Sequence, residues 1–223
     1  MFRQVHLEQC DSTQDELERH VEGDNQSESV LISTSKQLSG RGRGAHSWEY
    51  NAGSLAFSFT VSPHPDLTWQ YLEVAICLAR FFEKKFPTNL QLKWPNDIYS
   101  DGKKCGGILL KKTSSSVHVG IGINLLPNSN WGSVLDKSIQ LESDWSSKIP
   151  ADFLRYYLEV HPVEKAGIRS EWNKRCVHLN KLVHIQDGET QTRGTFVGLG
   201  DHGQALIQTD VGLESIYNGT LRW

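Results

Sequence analysis

The sequence predicts an α+β chain, a sheet flanked by helices over residues 1–175 and a small β-barrel over 176–223. Three observations predict it. Residues 69–86 carry Leu72, Ala75, Ile76, Ala79, Phe82 and Phe86 at helical spacing, an apolar stripe that must be buried against something. Ser54–Val61 alternates Leu55, Phe57, Phe59 and Val61, the period-two pattern of a half-buried strand. From Lys181 onward the character changes. Apolar pairs such as Leu182-Val183 and Phe196-Val197 are punctuated by Asp187-Gly188, Gly200-Asp201 and Val211-Gly212, which suits short strands in an SH3-like module.

Taken in order, residues 3–9 place Val5 and Leu7 on one side of a first strand. Thr13 and Glu16 have capping-box spacing before a short helix over 14–22, and Gly23–Ser29 reads as a polar loop. Val30–Ser33 is a strand leading into the glycine-rich segment 36–44. After the long helix, which ends near Pro87, short strands are expected at Leu90–Trp94, Ile98–Tyr99, Gly107–Lys111 and Val117–Leu125. Asp101-Gly102 is the turn of a hairpin among them. Helices over 150–160 and 163–175, parted by His161-Pro162, precede a domain boundary near Arg175.

Composition narrows the function. With 23 basic against 26 acidic side chains the chain has net charge −3, lacking the basic excess of a protein that coats nucleic acid. No window approaches the roughly 18 apolar residues of a membrane span. The N-terminus has no signal-peptide apolar region. Cys10, Cys77, Cys105 and Cys176 are scattered with no CxxC pair, so neither a zinc site nor a disulfide framework is indicated, and the cytoplasm is the expected compartment.

Three segments can carry chemistry. In Gly40-Arg41-Gly42-Arg43-Gly44, alternating glycines let backbone N–H groups turn toward an anion that two guanidiniums can clamp. Neither a Walker A lysine nor a following helix is present, which excludes a P-loop and a dinucleotide fingerprint. Lys93-Trp94-Pro95-Asn96-Asp97 ends a strand at Pro95 and holds two polar side chains in a turn, followed by Lys104-Cys105-Gly106-Gly107-Ile108-Leu109. Gly120-Ile121-Gly122-Ile123-Asn124 is a strand whose glycines permit close approach of another group. Each segment alone also reads as an exposed loop, a plain hairpin or a core strand.

Together, in this order and spacing, the three segments resemble the biotin protein ligases, and Ser12-Thr13 resembles that family's Ser-Thr-Asn. The likeness covers nearly the whole chain. It implies a class II synthetase-like catalytic domain with a mixed or antiparallel sheet, and a monofunctional enzyme lacking the DNA-binding domain of some relatives. Gln14 departs from the family's Asn, and Gly44, Ala45, His46 and Ser47 stand where the loop commonly carries more cations.

The resemblance implies that biotin and MgATP form biotinyl-5′-adenylate, whose acyl group then passes to a lysine of a biotin carrier domain of a carboxylase. Two anions must meet in the first step, so cations have to offset their repulsion. Lys104, Arg41, Arg43 and Asp97 are the implied catalytic residues. Ser12, Thr13, Gln14, Gln37, Gly40 and Gly42, together with Arg41, Arg43, Lys104 and Gly107, are the implied biotin site. Arg43, Trp48, Lys93, Asn96 and Asn124 are implied for ATP or the adenylate. Asp97 is a candidate Mg²⁺ ligand or a group that orients the acceptor lysine. The partners expected are biotin, ATP and the carrier domain, with no nucleic acid and no membrane, for a monomer or a homodimer. The loop Gln37–Trp48 is expected to be loose until an anion separates its arginines. Rival readings are a lipoate or octanoate ligase or transferase, the latter needing an activated thiol such as Cys105, and a non-catalytic biotin binder.

Overall fold

A computed structural model of the chain describes residues 1–21, 28–44, 46–128, 130–161 and 164–223. Strand β1 (Phe2–Leu7) pairs in parallel with β2 (Ser29–Thr34), and helix α1 (Thr13–Val21) connects back between them. The expected Thr13–Glu16 capping box does not form. Ser12 caps instead, its Oγ accepting from the Gln14 N–H at 3.3 Å, because the Thr13 hydroxyl is drawn to Gln37 and Ser58. Most of the loop expected at Gly23–Ser29, and the end of the helix expected at residue 22, lie outside the described residues.

The glycine-rich segment forms a two-residue ribbon, β3 (Gly40–Arg41) against β4 (Ser47–Trp48), with Gly40 opposite Trp48. Strand β5 (Ser54–Val61) follows, and every residue in it is buried. This corrects the half-buried expectation. Leu55, Phe57 and Phe59 face the main core, while Ser58 and Thr60 on the other face are covered by α1 and bond to Thr13 Oγ1 and the Val30 N–H. Helix α2 (Leu67–Lys85) covers the core side, its Phe81 ring packing on Phe82 and on Phe153 of α3 (Trp145–Val160). Helix α3 starts five residues before its predicted start and runs through Pro150. Pro150 is the sixth residue of this helix, so its missing N–H leaves the Ser146 carbonyl without that helical bond.

Strands β6 (Gln91–Lys93), β7 (Asp97–Ser100), β8 (Lys103–Lys112) and β9 (Val117–Asn124) complete the sheet. Among the described residues it has seven strands in the order β1-β2-β5-β9-β8-β7-β6, antiparallel except for β1 with β2. The mixed sheet flanked by helices is therefore as expected. The β7–β8 hairpin turns at Asp101-Gly102, both with positive φ.

Helix α4 (Lys165–Arg175) leads to β10 (Leu182–Asp187), β11 (Thr190–Leu199), β12 (Ala205–Thr209), β13 (Gly212–Ile216) and β14 (Thr220–Arg222). They form one antiparallel sheet in the order β13-β12-β11-β10-β14. This terminal sheet is fastened to the first: the Val177 N–H donates to the Leu92 carbonyl at 3.0 Å, and the Trp69 and Trp94 indoles donate to the Asp201 and Gly203 carbonyls. Val183, Phe196 and Leu221 join the same apolar cluster as Phe57 and Trp94. No described helix is long and apolar enough to cross a membrane.

Candidate active site

Both glycine-bearing segments and the Lys-Trp-Pro-Asn-Asp turn converge on one cavity of about 360 Å³. Its floor is β9, where Gly120, Ile121 and Gly122 line it. One wall is the start of α1 with Ser12, Thr13 and Gln14, another is the β3–β4 ribbon, and the third is the turn 93–97 with Lys104 and Gly107 of β8. Gly219, Thr220 and Leu221 of the terminal sheet close one end. A protein of net charge −3 thus lines this cavity with Arg41, Arg43, Lys93 and Lys104 against the carboxylate of Asp97.

Asp97 is the hinge of that charge arrangement. Its Oδ1 lies 2.6 Å from Lys104 Nζ and its Oδ2 3.1 Å from Lys93 Nζ, and the side chain is only 12% exposed. Two ammonium groups on one carboxylate leave a net positive pair, held in place by charge-assisted bonds and facing the cavity. Strand geometry produces this. Lys93 and Asp97 are cross-strand partners in β6 and β7, and Asp97 pairs in turn with Gly107 on β8. Asn96 fixes the turn, its backbone carbonyl accepting from the Ile108 N–H at 2.9 Å and its Nδ2 donating to the Ile108 carbonyl at 3.0 Å.

This geometry does not fit Asp97 as a Mg²⁺ ligand. Both its oxygens already face lysine ammonium groups, which a divalent cation would have to displace.

The polar end of the cavity is a chain of side-chain bonds. Gln37 Oε1 accepts from the Thr13 N–H at 2.9 Å and from Thr13 Oγ1 at 3.3 Å, and Thr13 Oγ1 lies 2.9 Å from Ser58 Oγ. Gln14 donates its Nε2 to the His118 carbonyl, leaving Oε1 buried beside Gly120 without a hydrogen-bond partner among the described residues. Such an arrangement offers both donors and an acceptor to a small buried polar group.

Trp48 lies flat on the floor. A Cβ on Gly122 would sit 2.5 Å from its Cε2, so only glycine admits the indole there. Gly40 stands behind the wall, where a Cβ would meet the Trp48 carbonyl at 2.6 Å, and does not line the cavity. Asn124 also lies outside it, accepting from Ser54 Oγ at 2.8 Å. The other sequence-predicted residues all reach the lining.

The two loop arginines do not face each other. Arg41 forms a bidentate pair with Asp15 of α1, Nε–Oδ1 and Nη2–Oδ2 both 2.8 Å, and that carboxylate raises the guanidinium above its usual range. Arg43 donates to the Gly219 carbonyl of the terminal sheet. Mutual repulsion is thereby avoided, and the ribbon is tied to both halves of the chain. Ala45, within the cation-poor stretch of the loop, lies outside the described residues. Cys105 is fully buried and does not line the cavity, and burial pushes its thiol up to about 12, so nothing in its surroundings activates it for a thioester step.

Sequence reasoning missed Asp15, Ser58, Tyr99 and Trp131, all at or beside the cavity. Asp15 falls two residues after Ser12-Thr13 within the first turn of a helix, a place where acidic residues are ordinary, so nothing marked it.

Residues 7–128 match the Biotin/lipoate A/B protein ligase family model, and residues 178–220 match the Biotin protein ligase C terminal domain. The biotin–[acetyl-CoA-carboxylase] ligase of Paracoccus denitrificans is 27% identical over 232 aligned positions, covering 94% of this chain and 96% of that protein. The structure of the biotin protein ligase from Aquifex aeolicus in complex with biotin and ATP superposes with a TM-score of 0.81 at 25% identity, over 100% of this chain and 99% of that one. The Helicobacter pylori biotin acetyl coenzyme A carboxylase synthetase with bound biotinylated ATP shares the fold, with a TM-score of 0.75 at 21% identity over 96% of this chain and 100% of that one.

Proposed function

Because the chain belongs to the biotin/lipoate A/B protein ligase family, we infer from its cavity that it is an ATP-dependent biotin protein ligase. It activates biotin as biotinyl-5′-adenylate and passes the acyl group to a lysine of a carboxylase's carrier domain. The observation that carries this reading is the Lys104–Asp97–Lys93 arrangement facing a cavity whose far end is lined by Ser12, Thr13 and Gln37.

In the first half-reaction a carboxylate oxygen of biotin attacks the α-phosphorus of ATP and pyrophosphate leaves. Lys104, steadied by Asp97, offsets the charge shared by the carboxylate and the α-phosphate, and Lys93 serves the outer phosphates. Arg41 and Arg43 hold the ribbon over the bound acid. Thr13, Ser12 and Gln37 bond the ureido group, whose burial without partners would cost about 1–3 kcal/mol per group. In the second half-reaction the acceptor amine attacks the acyl carbon, AMP leaves and the proton passes to solvent. The acceptor ammonium has to lose a proton first, and Asp97, already shared by two lysines, orients cations around that point rather than binding metal.

We also propose the division into a catalytic unit, residues 1–175, and a terminal β unit, 176–223. The match of the latter to a biotin-specific family model favours biotin over lipoate. Its expected compartment is the cytoplasm, a reading supported by its unpaired cysteines. The test is to mix protein, MgATP and biotin or lipoate and to follow pyrophosphate release, then to add a carrier domain and detect biotinylated lysine by mass spectrometry. Pyrophosphate and transfer with biotin alone are expected; turnover with lipoate in place of biotin would overturn the assignment.

A further inference from the structure

Lys93 is held from two sides. One is Asp97, at 3.1 Å; the other is the indole of Trp223, whose ring centroid lies 5.4 Å from Lys93 Nζ. Trp223 directly follows β14, whose Thr220 and Leu221 line the cavity, so it belongs to the terminal sheet while touching a cation of the catalytic half. We propose that Trp223 is a positioning residue for the nucleotide half-reaction, which holds the Lys93 ammonium toward the phosphates through its ring face. This proposal rests on the ligase reading above.

The choice of group has a physical logic. A lysine that serves phosphates has to be fixed yet remain charged. A second carboxylate would fix Lys93 and cancel it, because Asp97 already balances one of the two ammonium groups. A ring face attracts a cation through its quadrupole and adds no net charge. Lys93 is only 15% exposed on its side chain, so water competes weakly for this contact.

The ring is itself held. Tyr99, which lines the cavity, packs at 5.6 Å from it, and His178 packs at 5.7 Å. His178 is fully buried, seated on Phe196 at 4.3 Å and beside Trp172 at 5.9 Å. Burial, together with Lys93 and Lys181, lowers its pKa to about 3, so it is neutral near pH 7 and adds no cation against Lys93. Lys181 Nζ lies 5.9 Å from the same indole, anchoring it to the terminal sheet. Placement of that sheet is therefore transmitted to one side chain of the nucleotide site. Trp223 is 45% exposed, so replacing it leaves the main core intact.

The experiment compares Trp223→Leu and Trp223→Phe in the full chain, by pyrophosphate release with ATP and biotin varied separately. Trp223→Leu is expected to raise KM for ATP by about 3- to 10-fold, the size of a partly desolvated cation–π contact, with the biotin dissociation constant within twofold of wild type. Trp223→Phe, which keeps a ring face, should recover most of the loss. In a Lys93→Gln background Trp223→Leu should have no further effect. The contact itself is read by NMR, as an upfield ring-current shift of the Lys93 ε-methylene protons that disappears in Trp223→Leu. Equal damage from Leu and Phe, undiminished damage in the Lys93→Gln background, or an unshifted Lys93 overturns the proposal while the ligase assignment stands. A wild-type protein that releases no pyrophosphate with biotin fails the assignment before any variant is made, and the proposal falls with it.

Discussion

Replacing Gly122 by alanine tests whether the floor of the cavity is set by the indole of Trp48. The added Cβ would lie 2.5 Å from Trp48 Cε2, 2.7 Å from Cδ2 and 2.8 Å from Nε1. These belong to a rigid fused ring, so no terminal torsion relieves the clash. The whole indole has to retreat by about 1 Å to regain ordinary carbon contact distances of about 3.5–4.0 Å. Trp48 is not free to retreat alone, because it is the β4 partner of Gly40 and its neighbour Ser47 pairs with Arg41. Overpacking of this kind costs about 1–3 kcal/mol, which for a chain of this size lowers the melting temperature by roughly 2–12 °C. Displacement of the ribbon should cost more in function than in stability, since a shift near 1 Å in a positioning element can cost about 100-fold in rate. Scanning calorimetry and titration of biotin measure the two effects. The decisive measurement is the same substitution in a Trp48→Ala background, where the ring that clashes is gone. Stability loss there should be nearly abolished. If Gly122→Ala costs as much without the indole as with it, the clash is not the cause and the account of this floor is wrong.

Lys104→Ala should suppress pyrophosphate release by at least about 100-fold while weakening biotin binding far less, because charge gathers at this ammonium mainly in the transition state; near-normal turnover would remove Lys104 from the mechanism. Asp97→Asn should loosen both lysines and impair adenylation with biotin affinity nearly intact, and a normal rate of transfer from preformed biotinyl-adenylate would restrict its role to the first step. Asp15→Ala should speed tryptic cleavage after Arg41 severalfold by freeing the bidentate pair, and unchanged cutting would show that Asp15 does not restrain the ribbon. His178 has a folded pKa near 3 against about 6.5 unfolded, so below pH 6.5 the unfolded state binds the extra proton and stability falls as pH drops toward 3. Its share of that loss, on the order of 4 kcal/mol once pH reaches 3, should vanish from urea titrations of His178→Phe, and parallel pH profiles would contradict it.

Most of the elements, and the three segments that converge on the cavity, are legible from residue order alone. Helical spacing over 69–86, alternation over 54–61 and the turn-punctuated tail are local signals, fixed by where apolar side chains must go, and the corresponding helix, strand and terminal sheet are all present. The charged and glycine-rich segments were equally legible because their chemistry is written in residue type. The tertiary structure alone decided how those groups are paired. Ser12 rather than Thr13 caps the helix because Thr13 is claimed by Gln37 and Ser58, which lie 24 and 45 residues away. Asp97 is turned from a metal-ligand candidate into a bridge between two lysines by the register of β6, β7 and β8. Arg41 and Arg43, separated only by Gly42 in the motif, are sent to Asp15 and to Gly219, at opposite ends of the chain. A carboxylate or guanidinium takes its role from the charge within a few ångströms of it, and that distance is set by packing between segments far apart in sequence.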